Sequence, residues 1–292
     1  MKKILVVGSI AIDNVTYTSV PAQPGMTVYG DSFLSNVGGK GANQSCAIHF
    51  LGGDVEFYGA VGNDNNGKIV ENYLKEQGLK AFLKKSEYST GVASITIDNK
   101  TAENSIIIVP GANLDINIED VAKIDFEKYG ILLTQLENKI GTIEYILKTA
   151  KEKGLFVVLN PAPYHEFSRS YFQYIDLFIP NEHELDLFAK EVNGSSLNKA
   201  KYLVSKGVKR VIVTLGEKGS LYVDENEYFY ISANKVKAVD TTGAGDSFCG
   251  ALVTALSKGK DIKEAMEFAT KASSITATRK GAIASLPKKE EL

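Results

Sequence analysis

Short runs rich in apolar and β-branched residues recur along the chain, at Ile4 to Val7, Val55 to Val61, Ile131 to Leu136, Phe156 to Asn160, Leu177 to Ile179 and Val211 to Leu215. Runs of this kind suit strands buried on both faces. Between them, Ile69 to Glu76, Ile143 to Lys153, Glu182 to Lys190 and Lys199 to Lys206 carry apolar residues at helical spacing, several ending near a glycine that suits a helix C-terminus. The alternation predicts an α/β fold: a mostly parallel sheet covered by helices on both faces. Two stretches, 13–36 and 88–111, break it. In the second, Gly91 to Asp98 and Ser105 to Val109 flank the turn-like Asp98-Asn99-Lys100, which predicts a small β-sheet standing off the main domain. The expected division is a core of residues 1–12, 37–87 and 112–292, with 13–36 and 88–111 forming the small sheet. The polar tail, Lys288 to Leu292, is expected to be a loose end.

Composition narrows the function more than the fold. The 292 residues suit one large domain or two modest ones, and 44% hydrophobic with 23% charged residues is ordinary for a globular protein. Lys and Arg number 33 against 35 Asp and Glu, so the net charge of −2 offers no basic excess for gripping nucleic acid. No apolar run approaches the roughly 18 residues of a membrane span. Met1 to Gly8 reads as a strand, not a signal peptide, because Asp13 follows without a small-residue cleavage site. Cys46 and Cys249 form no CxxC pair, and a cytoplasmic protein with two reduced thiols is expected.

Four motifs carry candidate chemistry. In Asp240-Thr241-Thr242-Gly243-Ala244-Gly245-Asp246 a glycine-rich turn opens a helix, converging backbone N–H groups at the positive end of its dipole. Asp246 is placed to take a proton from a hydroxyl while those groups meet charge on a transferred phosphoryl group, or else it merely caps the helix. In Asn36-Val37-Gly38-Gly39-Lys40-Gly41-Ala42-Asn43-Gln44 the glycines allow close backbone approach and Asn43 offers a donor and an acceptor to sugar hydroxyls; it is not a Walker A loop. Pro180-Asn181-Glu182-His183-Glu184 sets Asn181 and Glu184 three apart on one helix face, suited to magnesium-bound water or to a simple helix start. Val213-Thr214-Leu215-Gly216-Glu217-Lys218-Gly219 is a strand ending in a glycine turn, suited to a nucleotide. His49, His165 and His183 show no metal-ligand spacing, and Gly8-Ser9-Ile10-Ala11 lacks the dinucleotide GxGxxG.

In this order, the motifs resemble the ribokinase-like (PfkB) family of carbohydrate kinases over nearly the whole chain. Val7 to Ile10 with Asp13, Ser89 to Ala93, Pro110 to Asn113, Gln135 to Glu137 and Leu159 to Pro163 add to the similarity. The resemblance implies ATP-dependent phosphorylation of a sugar's primary hydroxyl, with ribose going to ribose 5-phosphate as the leading case. It implies Asp246 as catalytic base, Gly243, Ala244 and Gly245 as anion hole, and Asp13, Gly39, Lys40, Asn43 and Glu137 as sugar contacts. Asn181, Glu184, Thr214, Gly216 and Gly219 fall where relatives handle Mg²⁺-bound phosphates and nucleotide. Asp240, Thr242, Thr276, Arg279, Gly281 and Ser285 match a monovalent cation site, usually potassium, several through backbone carbonyls. The small sheet corresponds to a lid that closes over the sugar and pairs subunits into a homodimer. One departure stands out: ribokinases usually carry Asn where this chain has Ala11, which leaves the sugar open between ribose, 2-deoxyribose, another sugar and a nucleoside. A catalytically silent sugar sensor on the same fold is the alternative of a different class.

Overall fold

A computed structural model describes residues 1–20, 22–101 and 103–292. The first half of the chain forms β1 (Ile4–Val7), β2 (Ala11–Thr18), β3 (Ser32–Gly38), α1 (Lys40–Phe50), β4 (Val55–Gly62), α2 (Asn65–Glu76), β5 (Lys80–Ser86), β6 (Gly91–Asp98) and β7 (Asn104–Val109). Next come α3 (Ile118–Val121), β8 (Ile131–Thr134), α4 (Ile140–Glu152), β9 (Phe156–Leu159), β10 (Leu177–Phe178), α5 (Glu182–Phe188) and α6 (Ser196–Ser205). The chain closes with β11 (Val211–Thr214), β12 (Ser220–Val223), β13 (Tyr228–Ile231), α7 (Ala244–Ser257) and α8 (Ile262–Ala277).

Nine strands make one sheet in the order β13-β12-β11-β10-β9-β8-β1-β4-β5. It is parallel except for β12 and β13, which pair antiparallel at one edge. The reason its inner strands read as unbroken apolar runs is visible in β1. Ile4 and Val6 pack into a core with residues of α1, α2, α7 and α8, while Leu5 and Val7 pack into a second core with residues of α4, α5 and α6. Helices thus cover both faces, as the α/β reading expects. Glycines end α2 and α4 in left-handed conformation, Gly78 at φ 72° and Gly154 at φ 79°.

A second sheet of four strands runs β3-β2-β6-β7. The expected hairpin is β6–β7, but β2 lies beside β6 in parallel, so the sheet joins two segments distant in sequence. Phe33, Leu34 and Ile106 to Val109 on its outer strands are exposed.

The tail departs from expectation. Glu291 pairs with Arg279, Lys271 donates to the Leu292 carbonyl, and Leu292 packs against the core, so residues 288–292 are tied down. Apolar runs also overshoot their strands: Gln135, Leu136, Asn160, Ile179 and Leu215 lie just past the carboxyl ends of β8, β9, β10 and β11. Among the described residues, no helix is long and apolar enough to cross a membrane.

Candidate active site

Strand order reverses about β1, which has β4 on one side and β8 on the other, and ligands of open α/β sheets bind at such a switch point, beyond the carboxyl ends of the strands. There the Gly38 to Gly41 motif brings the start of α1 onto the loop after β1. A Cβ at Gly39, whose φ is 90°, would lie 2.7 Å from Ile10 Cα, and one at Gly41 would lie 2.6 Å from the carbonyl carbon of Gly8. A Cβ at Gly38 would fall on the Asp13 carboxylate. Glu137, just past β8, accepts from the Ser9 hydroxyl and, at 3.2 Å, from the Lys40 backbone N–H. Burial pushes the Asp13 carboxyl up to about 6, helped by the neighbouring Glu137 and Asp246 carboxylates and opposed by Lys40. Burial pulls the Lys40 ammonium down, but Asp246, Glu137 and Glu184 outweigh it and hold Lys40 above its usual range. Asp13, Lys40 and Asn43 therefore lie close to Asp246, with Glu137 beside Asp13 and Lys40, and Gly39 at the N-cap of α1 just before Lys40. Asn43 Oδ1 is buried and has no partner among the described residues.

Asp246 does not cap its helix. The N-cap of α7 is Gly243, left-handed at φ 77°, which no side chain caps. Asp246 sits in the first turn, 7% exposed, with Asn43 Nδ2 donating to Oδ2 at 2.8 Å and Gln44 Nε2 donating to Oδ1 at 2.9 Å. The Ala244 N–H donates to Thr241 O at 3.1 Å. The N–H groups of Gly245 and Asp246 have no acceptor of their own among the described residues, the usual state of a helix's first turn and one suited to an anion.

Beside this turn opens a cavity of about 890 Å³ that Asn181, Thr214, Gly216, Gly219, Ala244 and Gly245 all line. Asn181 and Glu184 are a reciprocal helix cap: Asn181 Oδ1 accepts from the Glu184 N–H at 2.7 Å, and the Asn181 N–H donates to Glu184 Oε2 at 2.9 Å. The helix-start reading of this motif is thus realised, while Glu184 Oε1 stays uncommitted and the carboxyl, buried, is raised. Glu184 is not itself in the cavity wall. Sequence reasoning missed the opposite wall, Thr270, Ser273, Ser274 and Ala277 on α8. Its signal was a run of small residues at helical spacing, which resembles ordinary helix packing.

The expected cation residues divide. Asp240 Oδ1 accepts from the Thr242 N–H and Oδ2 from the Gly281 N–H, both at 2.9 Å, clamping the turn before α7 to the loop after α8. Thr276 Oγ1 lies 2.8 Å from Ser247 Oγ, and Ser285 donates to Ala282 O at 2.7 Å. The Arg279 side chain points away to Glu291. No cluster of His, Cys, Asp and Glu among the described residues suits a metal ion. Cys46 and Cys249 are buried and unbridged, and burial pushes the Cys46 thiol up to about 12.

This fold and site define a phosphotransferase acting on a small hydroxyl compound. The sequence matches the model of the pfkB family of carbohydrate kinases over residues 1–289, and the chain belongs to that family. The ribokinase of Schizosaccharomyces pombe is 37% identical, over 98% of this chain and 95% of its own. The deoxyribokinase of Salmonella typhi is 34% identical, over 99% and 96%. The ribokinase structure from Thermotoga maritima matches with a TM-score of 0.92 at 37% identity, covering 100% of this chain and 98% of that one. Arabidopsis thaliana ribokinase, solved with ribose and ATP, matches with a TM-score of 0.89 at 29% identity, covering 99% and 97%.

Proposed function

We propose that this kinase moves the γ-phosphoryl group of ATP to the 5-hydroxyl of ribose, giving ribose 5-phosphate and ADP. Asp246 takes the hydroxyl proton, the freed oxygen attacks phosphorus, and the bond to ADP breaks. The Gly243-Ala244-Gly245 turn meets the charge on the transferred group through its N–H dipoles. Asp13, Gly39, Lys40, Asn43 and Glu137 hold the sugar. The nucleotide lies along Thr214, Gly216 and Gly219, and residues 13–36 and 88–111 act as the lid over the sugar. Asn181 and Glu184 sit where magnesium-bound water would be ordered, and Mg²⁺ would neutralise phosphate charge there. A potassium ion suits the region of Asp240, Thr242, Thr276, Gly281 and Ser285, which offers hard oxygens, while the Arg279 guanidinium is taken up by Glu291; it would strengthen the positive field of the anion hole.

One observation carries the reading: the Asp246 carboxylate, freed from capping, adjoins both the sugar residues and the turn that lines the cavity. Asp246→Asn is expected to lower kcat at least about 10²-fold with the KM values for sugar and ATP nearly unchanged, read as ADP release. Near-normal turnover would remove Asp246 as the base, and no ADP release by the wild type across a sugar panel would favour the sensor.

Ala11 favours a second reading, in which 2-deoxyribose is also a substrate, and a deoxyribokinase stands among the relatives. A missing hydrogen bond typically costs about 0.5–1.5 kcal/mol, so discrimination between the two sugars is expected to be weak. The same assay measures it, with Ala11→Asn expected to sharpen the preference for ribose. A wild type favouring ribose by about 10³-fold or more would exclude this reading.

A further inference from the structure

A chain of side-chain amides runs from the Asp246 carboxylate into the buried interior of the protein. Gln44, fully buried on α1, donates one Nε2 hydrogen to Asp246 Oδ1 at 2.9 Å and the other to Asn160 Oδ1 at 3.0 Å. Its Oε1 accepts from Gln135 Nε2 at 2.6 Å. Asn160 Nδ2 in turn donates to the backbone carbonyl of Ile179 at 2.9 Å. Gln135, Asn160 and Ile179 all lie just past the ends of adjacent parallel strands, β8, β9 and β10.

The polarity of this chain is set from its far end. A backbone carbonyl only accepts, so Ile179 fixes which end of the Asn160 amide faces it. Asn160 Oδ1 is then turned to Gln44 and requires a donor. That requirement turns the Gln44 N–H groups toward Asn160 and Asp246, and its oxygen toward Gln135. With Asn43 on one carboxylate oxygen and Gln44 on the other, the Asp246 carboxylate cannot rotate without breaking both bonds.

The network is retained at a cost. Gln135 is fully buried, and its Oε1 has no partner among the described residues. Buried polar groups left unsatisfied destabilise a fold, so an apolar side chain would serve packing better. Gly8 makes room for it, since a Cβ there would collide with the Gln135 amide.

We infer that Gln44 is a positioning residue for phosphoryl transfer, oriented by Asn160 and Gln135, and that it fixes the plane of the Asp246 carboxylate. The inference rests on Asp246 being the base. The test uses Gln44→Met and Asn160→Leu, which keep approximate shape and remove the amides, in the wild type and in Asp246→Asn. In the wild type, each is expected to lower kcat at least about tenfold with both KM values within about twofold, because misplacement of a reacting group acts on the transition state. In Asp246→Asn, neither should lower kcat further. Unchanged kcat, a loss confined to KM, or an equal loss in both backgrounds would overturn the proposal. Should Gln44→Met not fold, Asn160→Leu carries the same test, since it frees the Gln44 amide while leaving Gln44 in place. Full turnover by Asp246→Asn alone would instead remove the base assignment on which the inference rests, so the two failures are distinct.

Discussion

A carboxyl group buried beside other carboxylates holds its proton more tightly than one in water, and Asp13 is such a group, pushed up to about 6 from an ordinary 3.8. Between those values the folded protein binds more protons than the unfolded chain. Asp13 therefore lowers stability as pH rises from about 4 to 6, and the protein bears this cost in order to keep a carboxylate at neutral pH. A sugar hydroxyl donates more strongly to the ionised form, whose charge makes both oxygens better acceptors. The sugar KM is expected to rise as pH falls below about 6, and Asp13→Asn to flatten that dependence while raising KM at neutral pH. Steady-state kinetics between about pH 5 and 8 measure both effects, and a pH-independent wild-type KM would remove Asp13 from the sugar contacts.

At the scale of elements, two glycines at helix starts have opposite surroundings. A Cβ at Gly41 would press within 2.7 Å of the backbone at Gly8 and Ser9, which cannot give way as a side chain can. Nothing lies within 4 Å of a Cβ at Gly245, which faces the cavity. Gly41→Ala is expected to destabilise the protein by at least about 2 kcal/mol through overpacking. Gly245→Ala should leave stability unchanged or raise it by up to about 1 kcal/mol, as Ala replaces Gly in a helix, yet lower kcat by crowding the phosphoryl group. Urea unfolding and kinetics separate the two outcomes. A Gly245→Ala enzyme with normal kcat would show that the transferred group does not approach that turn.

At the scale of the molecule, the Asp240 clamp ties the start of α7 to the loop after α8, so a cation between them would act on the proposed anion hole from its rear. Rates in potassium are expected to exceed those in sodium and in a bulky ammonium buffer, and equal rates would eliminate the cation site. The four-stranded sheet poses a separate question, because Phe33 is 60% and Ile107 70% exposed on its outer strands. Apolar side chains gathered on one small sheet suit a homodimer formed through the lid. Sedimentation velocity should find a dimer at micromolar concentration that Ile107→Lys converts to monomer; a monomeric wild type would refute the lid interface.

Much of this was readable in residue order because its causes are local. Consecutive apolar residues in β1 mean burial on both faces wherever the strand lies, and Gly243-Ala244-Gly245 before a helix means converging N–H groups whatever packs against them. Folding decided what depends on partners. Asp246 receives its two amide bonds from Asn43 and Gln44, 203 and 202 positions away, so the helix-cap alternative, the weaker one in the sequence, could be set aside only once α1 and α7 packed together. The pairing of β2 beside β6 and the anchoring of 288–292 through Arg279 and Glu291 likewise have no local signature, and the small-residue run of α8 has one that ordinary helix packing shares. The same holds for Gln135 and Asn160, which lie inside or at the end of apolar runs in the sequence and meet through Gln44 only because adjacent parallel strands end at one edge of the sheet. Local sequence sets the backbone's preferences, whereas hydrogen-bond partners across the sheet exist only once nonlocal apolar burial has brought the strands and helices together.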